Sequence, residues 1–97
     1  MLDLTGARPD TTSMATVELT PEAAEQLERL PKTMHRRVVG LPERLQGWPE
    51  VSGARPLSGD LAGWFRLRTG DYRLRFRVTG ELVMVDKIGH RRDFYED

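Results

Sequence analysis

The sequence predicts a small α+β domain in which a mainly antiparallel four-stranded sheet packs against an N-terminal helical hairpin. Three observations predict it. Residues 64–77, WFRLRTGDYRLRFR, alternate apolar and basic side chains on both sides of a Gly-Asp pair, the pattern of a two-strand β-hairpin. Apolar residues between Ala23 and Leu45 instead recur at helical spacing. A further run, LVMVDKI over residues 82–88, follows a Thr79-Gly80-Glu81 turn and is apolar at each position from Leu82 to Val85, as a strand inside a sheet requires.

Taken in order, residues 1–13 (MLDLTGARPDTTS) are polar, contain Gly6 and Pro9 and show no period, so they read as a flexible arm before a domain spanning residues 14–97, with Met14 a second possible start. Residues 15–19 alternate weakly and form a short first strand, with Val17 and Leu19 on one face. Thr20-Pro21-Glu22-Ala23 opens a helix: Thr20 caps it, Pro21 takes the first helical position and the acids of the first turn oppose the dipole. Ala23, Leu27 and Leu30 make its buried stripe, and Pro31 ends it. Met34, Val38, Val39, Leu41 and Leu45 define a second, antiparallel helix. Pro42, following Gly40, kinks it or breaks it in two, because an interior proline costs about 3 kcal/mol.

Residues 46–63 are rich in glycine, proline and serine and read as a connector, anchored to the core by Trp48. In the hairpin, Thr69 lies opposite Tyr72, Arg68 opposite Arg73, Leu67 opposite Leu74, Arg66 opposite Arg75 and Phe65 opposite Phe76. Phe65, Leu67, Tyr72, Leu74 and Phe76 therefore share the core face, and Arg66, Arg68, Arg73, Arg75 and Arg77 the other. Like charges across a ladder destabilise it, so this face is either a solvated outer surface or one neutralised by acidic partners or a polyanion. Arginine suits phosphate because its planar fork donates two parallel hydrogen bonds.

The whole chain of 97 residues has a formal net charge of zero, but the charge is unevenly spread. Residues 1–31 hold six acids against Arg8 and Arg29, whereas residues 61–77 hold five arginines against Asp71. A local patch of this kind can bind RNA in a neutral protein. There is no cysteine, which excludes disulfides, thiolate zinc sites and a cysteine nucleophile. The two histidines, His35 and His90, are far apart and lack metal-ligand spacing, so no metal is expected. No apolar run approaches the ~20 residues of a membrane span, and a cytoplasmic protein with no membrane partner is expected.

Three motifs in this order carry a resemblance: Pro56-Leu57-Ser58-Gly59 before the hairpin, Arg66-Leu67-Arg68-Thr69-Gly70-Asp71-Tyr72-Arg73 within it, and Ile88-Gly89-His90-Arg91-Arg92-Asp93-Phe94-Tyr95 after it. Over residues 14–95 the chain resembles the RelE family of bacterial toxins. The resemblance implies a RelE-like domain acting as the toxin of a type II toxin-antitoxin system: a ribosome-dependent endoribonuclease that cuts mRNA without metal or other cofactor and is held in check by a cognate antitoxin. Its partners would be that antitoxin, the ribosome and mRNA.

By the same resemblance, Arg73 matches the phosphate-stabilising arginine, Arg91 the second catalytic arginine, and Tyr95 the terminal tyrosine that stacks on substrate or assists proton transfer. Where some relatives carry two lysines, this chain has Trp64 and Arg66. Arg66 keeps a positive charge there, but neither indole nor guanidinium is a base. His90 is the substitute, since an imidazole can accept a proton near neutral pH. Arg68, Arg75, Arg77 and Arg92 are expected to contact RNA. Two other readings differ in class: the related ParE toxins inhibit DNA gyrase and generally lack the catalytic arginines and tyrosine, and an inactive relative would use its arginine face only to bind an antitoxin.

Overall fold

The computed structural model describes residues 15–94, so the expected arm at residues 1–13 lies outside the described residues, as does Tyr95. Strand β1 (Thr16–Leu19) leads into α1 (Pro21–Glu28), α2 (Lys32–Val38) and α3 (Gly40–Leu45). After them come β2 (Arg55–Pro56), β3 (Trp64–Thr69), β4 (Tyr72–Thr79) and β5 (Leu82–His90), with short 3-10 turns at Gly59–Leu61 and Arg91–Asp93. The strands form one sheet in the order β1-β5-β4-β3-β2. β1 runs parallel to β5 and every other pair is antiparallel.

The α+β architecture is the expected one, with five strands where the sequence predicts four. The extra strand is β2, inside the connector, where Arg55 pairs with Arg66 and Pro56 with Phe65. Two residues ending in proline carry no periodicity, and proline is tolerated because β2 is an edge, where its missing N–H breaks no ladder bond.

Local chemistry explains the helices. Ala23 N donates to Thr20 Oγ1 at 3.1 Å, which makes Thr20 the N-cap of α1. Thr20 N donates to Val85 O at 2.9 Å, tying that cap to β5. The second helix is broken in two, as Pro42 requires. Its ring nitrogen cannot bond back to Val38, so the helix stops at Val38 and restarts at Gly40, which places Pro42 in the first turn of α3 where no intrahelical donor is needed.

The core lies between helices and sheet. Val38, Leu41 and Leu45 are buried against Leu67, Leu74, Phe76, Val83 and Val85. Trp48 anchors the connector, edge-on to Phe65 at 5.0 Å and to Phe76 at 5.4 Å between ring centroids. β5 is hydrogen-bonded on both sides over its first half. Beyond the end of β1, Gln26 of α1 covers the exposed edge, its Oε1 accepting from Ile88 N at 2.7 Å.

Candidate functional site

The β3–β4 register is the predicted one at all five predicted pairs, from Phe65–Phe76 to Thr69–Tyr72, and the ladder continues to Trp64–Arg77. Gly70 at the head of the two-residue loop has φ +58°, a conformation a Cβ would strain. The helices cover Leu67, Leu74 and Phe76, and the arginines line the opposite face.

On that face the ladder sets side chains in lateral rows. Arg55, Arg66, Arg75 and Lys87 form one row across four strands. Arg68 and Arg73 form the next, ending at Gly89 on β5. Four adjacent cations would repel one another, and the sheet answers with a β-bulge. Arg75 pairs with Lys87 while Phe76 pairs with Val85, so Asp86 is the extra residue. Its carboxylate accepts from Arg75 Nε at 2.9 Å and Arg75 Nη2 at 2.8 Å, with both side chains largely buried. Trp64 adds a second restraint, with the guanidinium carbon of Arg75 5.2 Å and that of Arg77 4.8 Å from its ring centroid.

The chain after β5 folds back over this face. Lys87 Nζ donates to Asp93 O at 2.6 Å and lies 4.6 Å from the Phe94 ring centroid, and Phe94 is buried. At Gly89, opposite Arg73, a Cβ would lie 3.5 Å from Asp93 Oδ2 and 3.7 Å from Phe94 Cε1, so the terminal turn sits directly over the Arg73 row. Arg91 is fastened to the hairpin tip: its N–H donates to Asp71 O at 2.7 Å, and its Nε lies 3.7 Å from Asp71 Oδ1. The backbone bond sets the position, because the exposed ion pair contributes only ~0–1 kcal/mol. The structure thus brings Arg68, Arg73 and Arg91 to one end of the sheet, with Arg66 and Arg75 one row away and Arg77 beyond.

His90 is placed differently. Strict alternation from Val83 and Val85 would put it on the arginine face, but the bulge at Asp86 reverses the parity: Ile88 is buried, and His90 pairs with Tyr72 on the helix side. The two rings meet edge-on at 5.4 Å. His90 Nδ1 accepts from both the backbone N–H and Nε of Arg92, each at 3.2 Å. In the tautomer this requires, Nε2 carries the proton. Its geometry is therefore that of a group holding Arg92, across the sheet from Arg66 and Arg68.

Sequence reasoning passed over Arg55 and Asp86. Nothing in the connector marks Arg55, whose position depends on β2 pairing. The signal for Asp86 was available: a carboxylate interrupting an apolar strand beside a five-arginine hairpin.

The family model for the ParE toxin of the type II toxin-antitoxin system parDE matches residues 17–95. Toxin RelG of Mycobacterium tuberculosis is 33% identical over 82 residues, covering 82% of this chain and 94% of that protein. The chain belongs to the RelE/ParE superfamily of type II toxins. The toxin's fold matches that in the RelBE2 toxin-antitoxin complex of Mycobacterium tuberculosis with a TM-score of 0.72 at 32% identity, covering 80% of this chain and 99% of that one. It also matches a chain of the chromosomal ParDE system from P. aeruginosa, with a TM-score of 0.64 at 20% identity over 80% of this chain and 97% of that one, a likeness of fold alone. The two branches share this scaffold, so the choice between their activities rests on side chains. Among the described residues no helix is long and apolar enough to cross a membrane, and no group of three or more His, Asp and Glu side chains could hold a metal ion.

Proposed function

We propose that this toxin is a ribosome-dependent mRNA endoribonuclease, restrained by a cognate antitoxin that covers its arginine face. The observation that carries the reading is the convergence of Arg68, Arg73 and Arg91 at the hairpin tip. In the reaction, the 2′-oxygen of one nucleotide attacks the adjacent phosphorus and the bond from phosphorus to the 5′-oxygen breaks. The 2′-hydroxyl loses its proton, the departing 5′-oxygen gains one, and a cyclic phosphate remains. Negative charge grows on the phosphoryl oxygens as the new bond forms, and fixed guanidinium donors stabilise it most in a site from which water is excluded. Arg73 and Arg91 take that role, with Arg66 alongside. Arg68, Arg75, Arg77 and Arg92 hold the RNA backbone, and Tyr95 stacks on a base. His90 is the candidate proton acceptor from the sequence; with Nδ1 engaged by Arg92, we assign it to positioning, and the 2′-proton passes to solvent.

The test is single-turnover cleavage on ribosomes programmed with a defined mRNA, mapped by primer extension. Arg73→Ala should lower the rate about 10²–10³-fold, the usual effect of removing one preorganised donor, while the protein stays folded and still binds ribosomes. The match to the ParE model supports a second reading, gyrase inhibition. Intact mRNA with the parent toxin, together with blocked DNA supercoiling, would replace the nuclease with that reading.

A further inference from the structure

A pocket of about 450 Å³ lies on the helix side of the hairpin tip, walled by Met34 and Arg37 of α2, by Tyr72 and His90 of the sheet, and by Asp71 and Arg92. Its volume is within the ~300–1,000 Å³ range of small-molecule sites. It is separate from the arginine face, because alternation along β4 puts Tyr72 on the opposite side from Arg73 and the bulge in β5 turns His90 to the same side as Tyr72.

We propose that this pocket is a nucleotide subsite that seats a nucleotide flanking the linkage to be cut, with its phosphate on Arg37 and Arg92 and its base against Tyr72 and Met34. Three features support it. The two cations reach the pocket from different elements. The Arg37 guanidinium comes close enough to the loop that Nη1 would lie 3.8 Å from a Cβ at Gly70, and Arg92 is held from below by the His90 acceptor at 3.2 Å. The negative charge of Asp71 is offset by Arg91 at 3.7 Å, so the pocket remains net positive. The rings of Tyr72 and His90, already edge-on at 5.4 Å, give one wall the aromatic surface on which bases stack. Asp71 and the Gly70 loop are the rim shared by the pocket and the Arg68–Arg73–Arg91 cluster. A strand laid across that cluster passes over the rim and brings its next nucleotide to the pocket.

This inference rests on the nuclease reading for its substrate, and its test does not depend on cleavage. The probe is a trinucleotide RNA with every 2′-hydroxyl methylated, so that the attacking group is blocked, carrying a 5′ fluorophore. Its binding to the full chain is followed by fluorescence anisotropy, and the contact surface by NMR. Arg37→Gln removes one pocket cation from an exposed position, so folding is retained, while Arg36→Gln removes the same charge from the adjacent exposed residue outside the pocket. Arg37→Gln should weaken binding at least tenfold and Arg36→Gln less than twofold, and the probe should shift the ring resonances of Tyr72 and His90. Equal losses in the two variants would reduce the pocket to general electrostatics and overturn the proposal. So would unmoved ring resonances, or no binding at about 1 mM probe, the weak end of specific affinities. Cleavage by the parent toxin, with Arg37→Gln binding as the parent does, sinks the subsite and leaves the nuclease standing. Arg37-dependent binding by a toxin that cuts nothing does the reverse.

Discussion

Replacing Asp86 with asparagine tests whether the arginine face is held together from within. The Asp86 carboxylate is the acidic group hydrogen-bonded to Arg75 on the row Arg55–Arg66–Arg75–Lys87, through bonds of 2.9 and 2.8 Å, and the two side chains are only 20% and 16% exposed. Charges about 4 Å apart at an effective dielectric of ~20 attract by ~4 kcal/mol. Desolvation cancels much of that, yet breaking a well-buried pair costs ~3–5 kcal/mol because the surviving charge is left uncompensated. With residual exposure and an amide that retains one acceptor, the net loss should be about 2 kcal/mol. In a domain of this size that is a fall in Tm of ~8–16 °C. Urea unfolding of the parent, Asp86→Asn, Arg75→Gln and the double variant isolates the pair, which should show a coupling energy above about 1 kcal/mol. A coupling below ~0.3 kcal/mol, or an Asp86→Asn variant as stable as the parent, would refute the argument that the bulge exists to neutralise the row.

Other substitutions separate the remaining roles. His90→Ala should leave saturated single-turnover cleavage within about threefold while raising KM, since the ring holds Arg92; a loss of ~10²–10⁴ in rate would instead make His90 the general base. Phe76→Ala should cost ~3–5 kcal/mol in urea unfolding, because the ring is fully buried between Trp48 and Phe65. Thr20→Ala removes the cap of α1 and should cost ~1 kcal/mol without changing activity, read by thermal unfolding and by the cleavage assay.

The sequence by itself determined the local order of this protein. Alternation with period two sets the β3–β4 register, because a slip of one residue would bury Arg66 and Arg75 and expose Leu67 and Leu74. Thr20, Pro21 and Pro42 set where helices begin and break through single missing or capped hydrogen bonds, which depend only on near neighbours. The arginines were legible as a face for the same reason. Tertiary structure decided the rest. Arg55 joins the row only because β3 offers an edge for a two-residue strand that has no pattern of its own. Asp86 leaves the alternation of β5 because two strands of unequal count must pair around Arg75, and that one extra residue carries His90 from the arginine face to the helix side, against Tyr72. A bulge is a property of two strands in register, and the position of His90 was therefore beyond any reading of one strand alone.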